Sequence, residues 1–173
     1  MPSRSWGTIY NPGDVNVTFH IKEMREAIEA MGAQLIEAHV SASAEVMQAA
    51  QSLVGRVDAI HITSDNNVVS AFESVVKVCN DANIPLFAGD RDSVPRGALA
   101  AYGPDYFLVG YTAGKQAAMI LKGEDPGNIP WGLASEYSLY VSLKHAKLQG
   151  VGLPRTLIQK AADKLWDDDG NVI

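Results

Sequence analysis

The sequence predicts an α/β fold: a Rossmann-like open parallel sheet with helices on both faces. Three observations carry that expectation. Short β-branched runs alternate with amphipathic helical patterns through the first half, the signature of right-handed crossovers between parallel strands. Small polar turns follow the first, third and fourth of those runs. The chain has 173 residues, 47% of them hydrophobic and 20% charged, which suits one domain with a substantial core over residues 1–173.

Gly7, Thr8, Ile9 and Tyr10 form the first strand. Asn11, Pro12, Gly13 and Asp14 turn the chain, proline fixing its own φ and glycine supplying a positive one. Val17, Ile21, Met24, Ile28 and Met31 then repeat at helical spacing, and Gly32 is placed to stop that helix. Residues 35–40 are the second strand. Ser41 or Ser43 caps the next helix, Glu45 favours its positive end, and Val46, Ala49, Ala50, Leu53 and Val54 form its buried face, with Gly55 ending it. Residues 57–62 are the third strand and 67–82 the third helix, with Val68, Phe72, Val75 and Cys79 as its apolar stripe.

Residues 84–88 are the fourth strand, with Pro85 tolerated near its start, and 98–102 the fifth. Pro104 or Asp105 opens a helix that runs to Lys122 and is stopped by Gly123. A loop rich in proline and glycine follows over 124–130. The pattern then predicts a last strand over 139–141, helices over 143–149 and 153–165, and a frayed acidic end over 166–170.

Composition removes several function classes. The net charge is −6 and no basic stripe with interleaved aromatics appears, so nucleic acid is not an expected partner. No apolar run is long enough to cross a bilayer. Residues 1–6 lack the apolar core of a secretion signal, so no signal peptide is read in this chain; the mature start of an exported protein, or an excised fragment, would look the same. Cys79 is the one cysteine, which rules out an internal disulfide and a cysteine metal cluster, and its place on an apolar stripe predicts a buried, inert thiol. His20, His39, His61 and His145 are dispersed without metal-ligand spacing and read as surface or packing histidines. The run from Gly110 to Gln116 falls one residue short of a phosphate loop, with Gln116 where a Mg²⁺-binding hydroxyl belongs. Neither a Gly-x-Gly-x-x-Gly nor a Gly-x-Ser-x-Gly pattern occurs. No catalytic residue, metal or cofactor is assigned.

Two turns are the candidate sites. Between the third strand and its helix stand Thr63, Ser64, Asp65, Asn66 and Asn67. Asp65 or Asn66 taken alone is accounted for as a helix N-cap, but five successive hydrogen-bonding residues exceed what one cap needs. In open α/β sheets such turns lie beyond the carboxyl ends of the strands, where ligands bind. The second turn holds Asp90, Arg91 and Asp92. One reading is a small α/β phosphoryl-transfer enzyme using Asp90 and Asp92 with Mg²⁺, although no convincing lysine or further strand-end carboxylates complete that set. The other is a binding site in which Asp90 accepts hydrogen bonds from a ligand ammonium or hydroxyl, with Asp92 structural, paired to Arg91 or Arg96 or capping 93–97. Topology predicts that Asn11, Ser64, Asp65, Asn66 and Asp90 gather along one rim of the sheet.

Several separated segments, in order, carry a resemblance. They include 9–14, 48–53, 57–60, Ser64 through Ala71, 84–90, Asp92 through Ala100, and Gly114 through Gly123. Together they resemble the ABC-transporter substrate-binding proteins of the tryptophan or aromatic amino-acid type, within the type I periplasmic binding proteins. The resemblance implies a non-enzymatic, extracytoplasmic receptor whose two lobes close on a small-molecule ligand and present it to a membrane permease. It makes this chain the second lobe, without most of the first, and makes Asn11, Ser64, Asp65, Asn66 and Asp90 its share of the cleft. Asp90 would hold an amino group and the turn at Ser64 a polar end of the ligand; Gly89 stands where relatives often have serine. Segment 104–130 would pack on the first lobe. Without that partner, the helix over 106–122 is expected to drive self-association into a homo-oligomer, or to repack on the lobe that remains.

Overall fold

The computed structural model describes residues 4–132, 137–161, 165–167 and 169–172. Its sheet is built on β1 (Ser5–Tyr10), which lies between β2 (Gln34–His39) and β3 (Ala59–Ile62). β4 (Leu86–Ala88) and β5 (Ala100–Pro104) continue the sheet, and these five strands are parallel. β6 (Tyr137–Ser142) runs antiparallel to β5, and β7 (Leu165–Trp166) runs parallel to β6 at the far edge. The strand order β2-β1-β3-β4-β5-β6-β7 follows from crossovers that go left once and then right.

Alternate strand residues feed opposite faces. Ile9, Ile60, Ile62 and Leu86 point into one core, where α2 (Val46–Leu53) and α4 (Phe72–Ala82) press Leu53, Phe72 and Val75 against them. On the other face α1 (Val15–Ala30) sets Val17 and Ile21 on Tyr10. Further along that face α7 (Leu143–Leu148) and α8 (Arg155–Lys160) bring Ala146 and Ile158 over Leu99, Ala100 and Val141. Gln149, just after α7, is a buried polar clamp. Its Oε1 accepts from the Leu86 amide at 2.8 Å, and its Nε2 donates to the Gly97 carbonyl at 2.9 Å and to Asn80 Oδ1 at 3.2 Å.

The elements depart from expectation at identifiable places. The third helix is two, α3 (Asn66–Ser70) and α4, broken at Ala71, whose φ of −115° and ψ of 27° leave the helical region. The second helix is not capped by a serine side chain. Glu45 reaches back instead, its carboxylate accepting from the Ser41 amide at 2.6 Å and from the Ser41 hydroxyl. Val54 and Met31 are exposed rather than buried, because each lies past the last helical turn. The helix over 153–165 is only Arg155–Lys160, and β7 follows where a frayed end was expected. Trp166 is buried in that strand, 6.4 Å from the Tyr140 ring. Asp167 closes the turn after it, accepting from the Asp169 and Asn171 amides.

Helix α6 (Tyr106–Leu121) is capped by Asp105, which accepts from the Phe107 and Leu108 amides. None of its residues is buried, so the repacking onto the remaining lobe does not occur. Among the described residues no helix is long and apolar enough to cross a membrane.

Candidate functional site

The rim is organised by Asp65, which is 1% exposed. Its Oδ1 accepts from the Val68 amide at 3.0 Å, capping α3, and its Oδ2 accepts from the Asn11 amide at 2.7 Å. One carboxylate therefore ties the end of β1 to the end of β3. The Asn11 side chain folds its own turn, Oδ1 accepting from the Gly13 amide at 2.9 Å. Asn66 is exposed on the first turn of α3, its carbonyl accepting from the Ser70 hydroxyl at 2.6 Å.

Asp90 performs the same task after β4. Its Oδ1 accepts from the Ser93 amide at 2.9 Å and its Oδ2 from the Ser93 hydroxyl at 2.8 Å, which fixes the turn into α5 (Ser93–Arg96). A carboxylate has about four lone-pair sites, so half of its accepting capacity is left over. Asp92 has a different partner, Arg91 at 3.6 Å, and an exposed side chain. Arg96 is engaged elsewhere, forked onto Glu73 at 2.7 and 2.9 Å and donating to the Val69 carbonyl. The capping role considered for Asp92 thus belongs to Asp90. Among the described residues no three His, Cys, Asp or Glu side chains come together as a metal site.

Beneath this rim lies a cavity of about 520 Å³. Ser64, Gly89 and Asp90 form its mouth at the carboxyl ends of β3 and β4. His61 of β3 and Thr63 just past its end line the cavity too, together with His20 and Met24 of α1 and with Tyr102, Tyr106 and Tyr137. Tyr102 and Tyr137 meet because β5 and β6 pair antiparallel: Tyr137 lies opposite Pro104 in the register, and its ring stacks on Tyr102 at 5.8 Å, while Tyr106 comes from the start of α6. Gly103 lets the turn after β4 approach β5 closely, since a Cβ there would lie 2.6 Å from the Gly89 carbonyl oxygen. Burial holds the His61 imidazole neutral, its pKa pushed down to about 4. Burial, then the charges of Asp90 and Asp92, raise that of the Tyr106 phenol.

Of the residues singled out in the sequence, Ser64 and Asp90 line the cavity, whereas Asn11, Asp65 and Asn66 stand on the rim outside its lining. Thr63, the first residue of the candidate turn, lines the cavity as well, but the rest of the walls were not anticipated. His61 did carry a signal: it is polar in an otherwise apolar strand, on the face that Ile60 and Ile62 do not use.

A mostly parallel sheet with helices on both faces and a ligand-sized hollow at its carboxyl rim defines a lobe of the type I periplasmic binding protein fold. The chain belongs to the ABC transporter substrate binding protein family, which it matches over residues 2–165. It is 39% identical over 124 residues to the tyrosine-binding protein of Clostridioides difficile strain R20291, covering 72% of this chain and 36% of that protein. A conserved domain protein from Vibrio cholerae O1 biovar El Tor superposes with a TM-score of 0.85 at 30% identity, over 95% of this chain and 55% of the other. An ABC domain from Streptococcus pneumoniae in complex with L-Trp shares the fold, with a TM-score of 0.82 at 23% identity, over 94% and 56% of the two chains. The chain therefore spans about a third of the curated relative and about half of the solved structures it matches.

Proposed function

We propose that this chain is the second lobe of the solute receptor of an ABC importer, and that it binds an amino acid with an aromatic side chain without transforming it. The observation that supports this most directly is the pairing of a carboxylate with aromatic walls. Asp90 stands at the mouth of the cavity with lone pairs to spare for an ammonium group, a charge-assisted bond of roughly 1.5–3 kcal/mol. Tyr102, Tyr106 and Tyr137 offer aromatic surface to an apolar or aromatic body. Ser64 supplies a hydroxyl for the polar end of the ligand, while Asn11, Asp65 and Asn66 shape and hold the rim. The tyrosine-binding relative favours the same class of solute.

In this reading the protein works outside the cytoplasm, and closure against a first lobe presents the bound solute to a membrane permease. Segment 104–130 is the part that packs on that lobe. By itself the lobe covers only part of a ligand and binds weakly, and its exposed α6 drives pairing of copies. Titration calorimetry against a panel of amino acids tests the assignment. Binding restricted to aromatic members and abolished by Asp90→Asn supports it; binding indifferent to Asp90 would overturn it. Mg²⁺-dependent phosphatase activity lost in the same variant would favour the phosphoryl-transfer alternative.

A further inference from the structure

Strand β3 and the residue that follows it carry two polar side chains that the fold itself does not use. Ile60 and Ile62 enter the main core, and the intervening face presents His61 and then Thr63 to the cavity. His61 Nδ1 and Thr63 Oγ1 are both buried, and neither has a hydrogen-bond partner among the described residues. A buried polar atom left unpaired costs about 1–3 kcal/mol, a cost that Val or Ala at these positions would avoid.

We propose that His61 and Thr63 recognise the distal end of the ligand's side chain. The cavity then prefers an amino acid whose ring carries a hydroxyl or N–H over one with a plain hydrocarbon ring. This rests on the reading of the cavity as the ligand site with Asp90 at the ammonium.

The spacing suits such a ligand. His61 pairs with Phe87 in the sheet register, and Asp90 lies three residues beyond Phe87. Residues 89 and 90 bend away from β4, so the two levels are at most about 10 Å apart, the extended-chain limit for three residues. That lies within the reach of an aromatic amino acid with a hydrogen bond at each end. The chemistry suits it too. A neutral imidazole offers one donor and one acceptor, and a hydroxyl offers both. A ligand hydroxyl pairs with this floor in either direction, and an indole N–H can donate to it. A phenyl ring does neither and leaves the buried atoms unpaired, which is how polar sites reject analogues that lack one hydroxyl.

Calorimetry of the intact protein with L-tyrosine, L-tryptophan and L-phenylalanine decides the matter. The wild type is expected to bind tyrosine at least about tenfold more tightly than phenylalanine. His61→Leu is expected to weaken tyrosine until the two differ by less than about threefold, with phenylalanine unchanged or tighter. Thr63→Val shifts the ratio the same way by less, and His61→Gln, which keeps a donor and an acceptor, retains part of the preference. A wild-type ratio within about threefold, or equal losses for both ligands in His61→Leu, overturns the proposal. If Asp90→Asn abolishes binding while the His61 variants leave the ratio unmoved, the amino-acid reading stands and only this inference fails. If the wild type binds none of the three, both fall.

Discussion

Helices α4 and α6 draw on the same apolar residue types and meet opposite fates. In α4 the apolar residues keep to one stripe, and Phe72, Val75 and Cys79 are fully buried against the sheet. Glu73, Lys77 and Asp81 face water, the last two paired at 2.7 Å. In α6 apolar residues run round the helix, with Lys115 the one charged residue between Tyr106 and Leu121. Phe107 is 74% and Leu121 87% exposed. A one-sided stripe asks for one partner, whereas a helix apolar on most sides asks for cover from several directions. The lobe supplies the first and leaves the second unmet. Apolar periodicity therefore reports that a face is meant to be covered, not which body covers it.

The sharpest check on this contrast is Phe72→Ala, expected to destabilise the fold by about 3–5 kcal/mol in a denaturant titration. Next in size is Gln149→Ala, which orphans the Leu86 amide and the Gly97 carbonyl and is expected to cost about 2–4 kcal/mol by the same measurement. A third check uses acid. His61 titrates near 4 in the folded protein against an ordinary 6.5, so the unfolded chain takes up its proton first as pH falls. Stability is thus lost on acidification between those two values, by at most about 3 kcal/mol, and His61→Leu should flatten that part of the melting profile.

The smallest effect on stability is expected where the helix is bare. Phe107→Ser or Leu121→Ser should change unfolding by less than about 0.5 kcal/mol while reducing self-association by light scattering. A loss there as large as that at Phe72 would break the contrast and show that α6 packs on this lobe in solution.

The same contrast explains what could be read from the sequence. The five parallel strands and the buried stripes of α1, α2 and α4 were legible because each depends on local periodicity. The break at Ala71 was not, since nothing in that apolar run disrupts a helical pattern. Strand β7 was missed because Leu165 and Trp166 are too short to show alternation, and an acidic neighbourhood hides them. At the site, polar turns at strand ends were visible. The division of labour within them was not: Asp65 could equally be cap or ligand, and only its two backbone partners show a bracing role. Tyr102 and Tyr137 come together through pairing between β5 and β6, which are distant in the chain and joined by no local pattern.

Cys79 gives this architecture a built-in clock. It is the one thiol in the chain, it is fully buried, and burial pushes its pKa up to about 12. Thiolate is the reactive form, so a dye that attacks sulfur finds nothing until the layers part. Its rate of uptake counts partings of α4 from the sheet, and a solute that braces the protein should slow the count.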